Sequence, residues 1–131
     1  MPSIFSKIIT GEIPCHKIAE NEHCFAFLDI FPLAKGHTLV IPKREVDKYF
    51  DLSNEELSEL NIFSKKIAAA IESAIPCKRV GLAVIGLEVP HAHVHLIPLQ
   101  SVEDINFSRE KLKLSQDELS EVAEKIRAEL A

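Results

Sequence analysis

The chain has 131 residues, the length of one domain, and its 47% apolar content is enough to bury a core without disulfide or metal staples. A net charge of −5 and a pI near 5.7 argue against a surface for nucleic acid or an anionic membrane, although a helix end or a few local donors can still hold a small anion. No apolar run approaches the roughly 20 residues of a membrane span. No secretory leader is visible, and Cys15, Cys24 and Cys77 have no CxxC spacing, so a reduced, cytoplasmic setting is expected.

Ile4, Phe5, Ile8 and Ile9 recur at helical spacing before Gly11, which predicts a short first helix. His16 to Ala19 and Cys24 to Leu28 read as strands around a polar turn, Glu20-Asn21-Glu22. Pro32 and Gly36 bound a loop, and Thr38 to Ile41, stopped by Pro42, reads as a third strand. Lys43 to Leu52 reads as a loop or a 3₁₀ turn. Ser53 and Glu56 form a capping box that opens a long amphipathic helix, with Leu57, Leu60, Ser64, Ile67, Ile71 and Ile75 on its apolar stripe and Pro76 ending it. Arg79 to Ile85 is a fourth strand, and Gly86 to Pro90 connects it tightly to a fifth, His91 to Leu99. Val102 to Leu114 shows no clear period. Ser115 and Glu118 cap a C-terminal helix over about 115–130, with Leu119, Val122, Ile126 and Leu130 on one face. Five strands and two main helices, with neighbouring strands joined by short turns, predict a single α+β domain on a mostly antiparallel sheet.

The fifth strand carries His91, His93 and His95 at every second position, with Ala92, Val94 and Leu96 between them. Strand periodicity puts the three imidazoles on one face, with Cα atoms about 6.6 Å apart at a rise of roughly 3.3 Å per residue. Metal binding is one reading, since imidazole is the commonest metal ligand, but the chain offers few partners to complete a site. Nucleophilic catalysis is another. A central histidine can attack phosphorus and carry a covalent intermediate, with its neighbours fixing its tautomer and neutralising charge. Solvated, inert histidines are a third reading, and the one that strict alternation favours least.

The stretch His91-Ala92-His93-Val94-His95-Leu96-Ile97 resembles the His-x-His-x-His-x-x signature, with hydrophobic x, of the histidine triad (HIT) family. Three further stretches agree in order: Ile4 to Pro14, Ala26-Phe27-Leu28-Asp29-Ile30, and Gly36 to Lys43. The resemblance runs over about 4–98. It implies a five-stranded antiparallel sheet with two helices, paired in a homodimer into a ten-stranded sheet. It also implies a nucleotide-binding hydrolase or transferase acting at an α-phosphate, nearest to the branch that hydrolyses nucleoside phosphoramidates. Dinucleoside polyphosphate hydrolysis, or a nucleotide-binding interaction module with little turnover, are the alternatives. The ligand would be a purine nucleotide or nucleotide conjugate, with no cofactor, nucleic acid or membrane partner.

Carried over residue by residue, His93 matches the family nucleophile, His95 the residue that binds phosphate oxygens, and His91 the support of the triad. Asp29 matches the acceptor of both ribose hydroxyls, a task suited to an ionised carboxylate. Phe5, Ile8, Phe27 and Ile30 match the apolar pocket around the base, and His37 a further support. Without the family, those four apolar residues read equally well as core, Asp29 as a strand-end residue and His37 as a satisfied core histidine. Lys43 and Arg44 read as solvated, with a charge that can draw an anion inward.

Two departures stand out. Many members carry an Asn on the preceding strand and a Gly-Gln-Ser-like triplet before the first histidine, where this chain has Val84-Ile85-Gly86-Leu87-Glu88-Val89-Pro90. Glu88 falls near the place of the serine that helps protonate the leaving group; burial would suit its carboxyl to act as a general acid, whereas in its ionised form it would repel phosphate. Some bacterial members hold structural zinc through a Cys-x-x-Cys and a later histidine; those positions are Ser3, Ser6 and Glu45 here, so no structural zinc is expected.

Overall fold

The computed structural model describes residues 2–130. Helix α1 spans Ile4–Ile9, α2 Asn54–Ala74 and α3 Gln116–Ala128; strands β1 to β5 span Lys17–Glu20, Cys24–Leu28, Thr38–Pro42, Arg79–Ala83 and Val94–Leu99. Short 3₁₀ turns lie at Tyr49–Asp51 and Val102–Ile105. The fold is α+β, with one sheet in the order β1-β2-β3-β5-β4 and every neighbouring pair antiparallel.

Local chemistry sets the helix ends. The Ser3 hydroxyl accepts from the Ser6 amide and opens α1. Both expected capping boxes form, Ser53 with Glu56 on α2 and Ser115 with Glu118 on α3. Each satisfies two backbone donors that a helix start leaves without partners. The chain leaves α2 at Ile75, whose amide still reaches Ile71, and Pro76 cannot continue the ladder. Helix α2 carries the chain from β3 to the far edge of the sheet, so that β5 can return between β3 and β4.

The two faces of the sheet do different work. On one face, Ala26, Leu28, Val40, Val94 and Leu96 pack against Leu60, Ile67 and Ile71 of α2 and against Leu119, Val122 and Ile126 of α3. On the other, Phe25, Phe27, Leu39 and Ile41 form a smaller cluster closed by Phe5 of α1. The register places Phe27 opposite Leu39, Leu39 opposite His95, and His95 opposite Ala83. His95 therefore lies in a row across the face that carries the smaller cluster.

The fifth strand begins at Val94 rather than His91, and the fourth ends at Ala83 rather than Ile85. One cause explains both. Ala83 pairs with His95, and the last pair on the β3 side is Val40 with Val94, so no ladder partner exists for 91–93. The alternation persists without the ladder. Ala92 joins Val94 and Leu96 in the larger core, its amide bonded to the Val46 carbonyl at 2.7 Å, while His91, His93 and His95 are all buried outside it. Among the described residues, no helix is long and apolar enough to cross a membrane.

Gly36 links the loop to β3 at a φ of +101°, and a Cβ there would lie 3.0 Å from Ile75 Cγ1 and 3.2 Å from Pro98 Cγ. Gly11, at φ +87°, has nothing within 4 Å of such a Cβ. Gly11→Ala is therefore expected to cost about 1 kcal/mol from backbone strain alone, and Gly36→Ala at least about 2 kcal/mol. Urea unfolding of the two variants against wild type checks the order.

Candidate active site

The hydrogen-bonding partners of the three histidines assign their protons. His93 Nδ1 lies 2.7 Å from the His91 carbonyl oxygen. A carbonyl only accepts, so Nδ1 carries the hydrogen and Nε2 keeps its lone pair. His91 Nε2 lies 2.8 Å from the Pro42 carbonyl and therefore donates. Its Nδ1 then accepts from the Ser3 hydroxyl at 2.7 Å. The same Ser3 backbone amide donates to Glu45 Oε1 at 2.6 Å, and the Ser6 hydroxyl donates to that oxygen at 2.7 Å. A clasp of Ser3, Ser6 and Glu45 thus pins α1 against His91, and the His91 carbonyl orients His93.

A second chain serves His95. The Leu33 amide donates to His37 Nδ1 at 3.0 Å, which leaves the proton of neutral His37 on Nε2. That proton is given to His95 Nδ1 at 2.9 Å. His95 must then carry its own hydrogen on Nε2. The outcome is a pair of opposites: His93 holds out a lone pair, and His95 holds out an N–H.

Burial keeps these rings neutral. It pushes His37 down to about 3 and His95 down to about 4, helped in both cases by neighbouring positive charge. His91 and His93 are also lowered, again chiefly by burial. Asp29 moves the other way, raised by burial against the Phe31 amide and the Lys111 charge that favour its ionised form.

His93 and His95 line a cavity of about 510 Å³. Phe5, Ile8, Phe27, Ile30, Asp29, His37 and Glu88 line it too, whereas His91 lies behind the wall and Lys43 and Arg44 lie elsewhere, paired with Glu20 and Glu56. Phe5 meets the His93 ring edge-on at 5.0 Å and Phe27 at 5.5 Å while also closing the smaller core. Phe5 and Phe27 therefore belong to the core and line the cavity at once. Ile8 is half-buried and Ile30 exposed at the rim. Asp29 Oδ1 accepts the Phe31 amide at 2.8 Å, and Oδ2 lies 3.6 Å from His37 Nε2. Glu88 is exposed, so the burial that its general-acid reading drew on is missing.

Sequence reasoning missed the far wall. Phe107, Ser108 and Lys111, from the stretch without clear period, also line the cavity, and the Phe107 ring stands 4.8 Å from that of His95. Arg109 holds this stretch in place by donating to the Leu33 carbonyl, and the Leu112 amide donates to the Pro32 carbonyl. A single aromatic residue among charged ones was the available signal.

Neither cluster of polar groups suits a metal. Asp29, His37 and His95 bring ligand atoms within 4.8 Å of one another. Binding there needs the Nε2 lone pair of His37, but the Leu33 amide claims Nδ1 and leaves the proton on Nε2. At the clasp, two hydroxyls replace thiolates, and Glu45 Oε1 already accepts two hydrogens, a poor set for zinc.

A family model described as the HIT domain matches residues 10–102. An adenosine 5′-monophosphoramidase from Schizosaccharomyces pombe is 35% identical over 133 residues, covering 99% of each chain. The crystal structure of a HIT-like protein from Bartonella henselae superposes with a TM-score of 0.86 at 33% identity, over 98% of this chain and 96% of that one. A zinc-bound histidine triad family protein from Mycobacterium smegmatis superposes at 0.80 with 27% identity, over 97% and 91%.

The lowered histidines have a consequence for stability. Unfolded imidazoles titrate near pH 6.5, whereas folded His37 and His95 stay neutral to about 3 and about 4. The unfolded chain therefore binds more protons below about pH 6.5, and stability falls as pH drops. Glu20 and Glu56, lowered to about 2, add to this only below their ordinary range, and raised Asp29 opposes it only near its own. The urea midpoint is expected to fall between pH 7 and pH 5.5, with a smaller fall in His37→Gln.

Proposed function

The chain belongs to the HIT family of nucleotide-binding proteins, and on that premise we propose that it hydrolyses nucleoside phosphoramidates, or closely related nucleotide conjugates, at the α-phosphate. The observation that carries this reading is the opposed pair of tautomers, a His93 lone pair beside a His95 N–H at one wall of an apolar cavity.

The base sits among Phe5, Ile8, Phe27 and Ile30, and the Asp29 carboxylate accepts from the ribose hydroxyls. His95 Nε2–H donates to a non-bridging oxygen of the α-phosphate. His93 Nε2 attacks phosphorus, forming an N–P bond as the bond to the leaving amine breaks, and the amine departs with a proton from Glu88 or solvent. Water then attacks the nucleotidyl-histidine, gives up a proton, and releases the nucleoside monophosphate with His93 restored. The enzyme divides one hard displacement into two, and the hydrogen bond from Nδ1 to the His91 carbonyl holds the nucleophile in its reactive tautomer throughout. No metal takes part, consistent with the donor chemistry at both polar clusters.

Among the described residues, strand β4 has β5 as its one sheet neighbour, so its outer edge can pair with that of a second copy. We therefore take the working form to be a homodimer with a continuous ten-stranded sheet. Sedimentation equilibrium should give twice the 14.6 kDa chain mass.

Incubation with an adenosine phosphoramidate should release AMP, and His93→Ala should reduce release by a factor of about 10³ or more. Rapid acid-free quenching should trap a mass increase of one adenylyl group on wild type and none on the variant. Because burial lowers His93, the acid-side fall of kcat/KM should have its midpoint below the ordinary histidine value of about 6.5. AMP binding with no release at any pH would instead mark an interaction module, a reading favoured by the missing Asn, Gln and Ser before the triad. Glu88→Gln with unchanged kcat across pH would remove Glu88 as the proton donor.

A further inference from the structure

The cavity has an electrostatic problem that its histidines do not solve. A nucleoside monophosphate group brings negative charge into a space already lined by the Asp29 and Glu88 carboxylates. The imidazoles that face it are neutral near pH 7. A neutral N–H orients a phosphate oxygen but does not cancel its charge. Among the described residues that line the cavity, Lys111 is the one permanently charged cation.

Its position is built rather than incidental. The ammonium donates to the Phe107 carbonyl at 2.7 Å and reaches the Arg109 carbonyl at 3.4 Å, which leaves one of its three hydrogens for another acceptor. It lies 5.9 Å from the centre of the Phe107 ring, and that ring packs on His95 and His37. The stretch that bears it is fastened to the 32–33 loop by Arg109 and the Leu112 amide, the same loop whose Leu33 amide orients His37. Lys111 is half-buried, and its charge is felt at Asp29, His37 and His95 but not among the influences on His93. The cation thus sits at the His95 end, where the phosphate oxygens are bound, and leaves the nucleophile alone.

We propose that Lys111 is the phosphate-charge anchor of this site, the residue that makes the cavity select nucleotides over neutral nucleosides. The proposal rests on the reading of the cavity as a nucleotide site and deepens it. Its role is in binding, so it acts on KM and on nucleotide affinity more than on kcat.

Calorimetric titration of wild type, Lys111→Met and Lys111→Arg with AMP and with adenosine tests it. Lys111→Met should bind AMP about tenfold more weakly and adenosine within about twofold of wild type, as expected for loss of one charge–charge contact near a surface. Lys111→Arg should keep most of the AMP affinity. With an adenosine phosphoramidate, Lys111→Met should raise KM by a similar factor and leave kcat within about threefold. Raising the salt concentration should narrow the gap between wild type and Lys111→Met. Equal AMP affinity in wild type and Lys111→Met would overturn the proposal, as would a parallel loss of AMP and adenosine, which would make Lys111 a prop for the cavity wall. Failure of wild type to bind either ligand would overturn the nucleotide reading itself.

Discussion

The hydrogen bond from His93 Nδ1 to the carbonyl of His91 is the constraint on which the site depends. It is two residues long, lies within a single stretch of chain, and is buried where water cannot replace it. A neutral imidazole has one lone pair to offer, and this contact decides which nitrogen offers it. The surrounding structure makes the contact unavoidable. Pro42 holds the His91 ring from the strand side, Ser3 holds it from the helix side, and Ala92 is drawn down into the larger core. The residue next to His93 is thus fixed by hydrophobic packing, and His93 inherits that rigidity.

The sheet order explains why the site forms where it does. Returning β5 between β3 and β4 sets His95 inside the sheet, with Leu39 on one side and Ala83 on the other, and leaves His91 and His93 just beyond the end of the ladder. Helices α2 and α3 cover the opposite face, so short α1, the 85–89 loop and the segment around Phe107 share the triad side. A small helix and an irregular strap leave a cavity where two long helices would have filled it.

Most of the fold was legible in the sequence because its signals are local. The capping boxes at Ser53 and Ser115, the stripe from Leu60 to Ile71 and the strand Cys24–Leu28 stand where the pattern puts them. The triad was legible as alternation, but the strand was read three residues too long, since side-chain alternation at His91 to His93 continues after ladder pairing has stopped. The hydrogen-bonded partners were not legible. Ser3 and Glu45 are 42 residues apart, and Arg109 reaches Leu33 across 76. Polar contacts at such separations carry no period, and they depend on a tertiary arrangement that hydrophobic patterning sets first. The same holds for Phe107 and Lys111, which have no regular element to announce them.

The open ladder at 84–93 separates two parts of the cavity wall. One part of the cavity wall comes from α1, the end of β2 and the loop after it, all tied to the core or to the ordered sheet. The segment entering the triad contributes to neither sheet register nor main core, apart from Ala92 and a partly buried Val84 packed against it. The length and chemistry of residues 85–88, exposed and outside both ladders, can therefore drift at little cost to folding. A scaffold of this kind ties one part of its cavity wall to folding and leaves another part free of it, so substitutions in one exposed loop can reshape the cavity without disturbing the core.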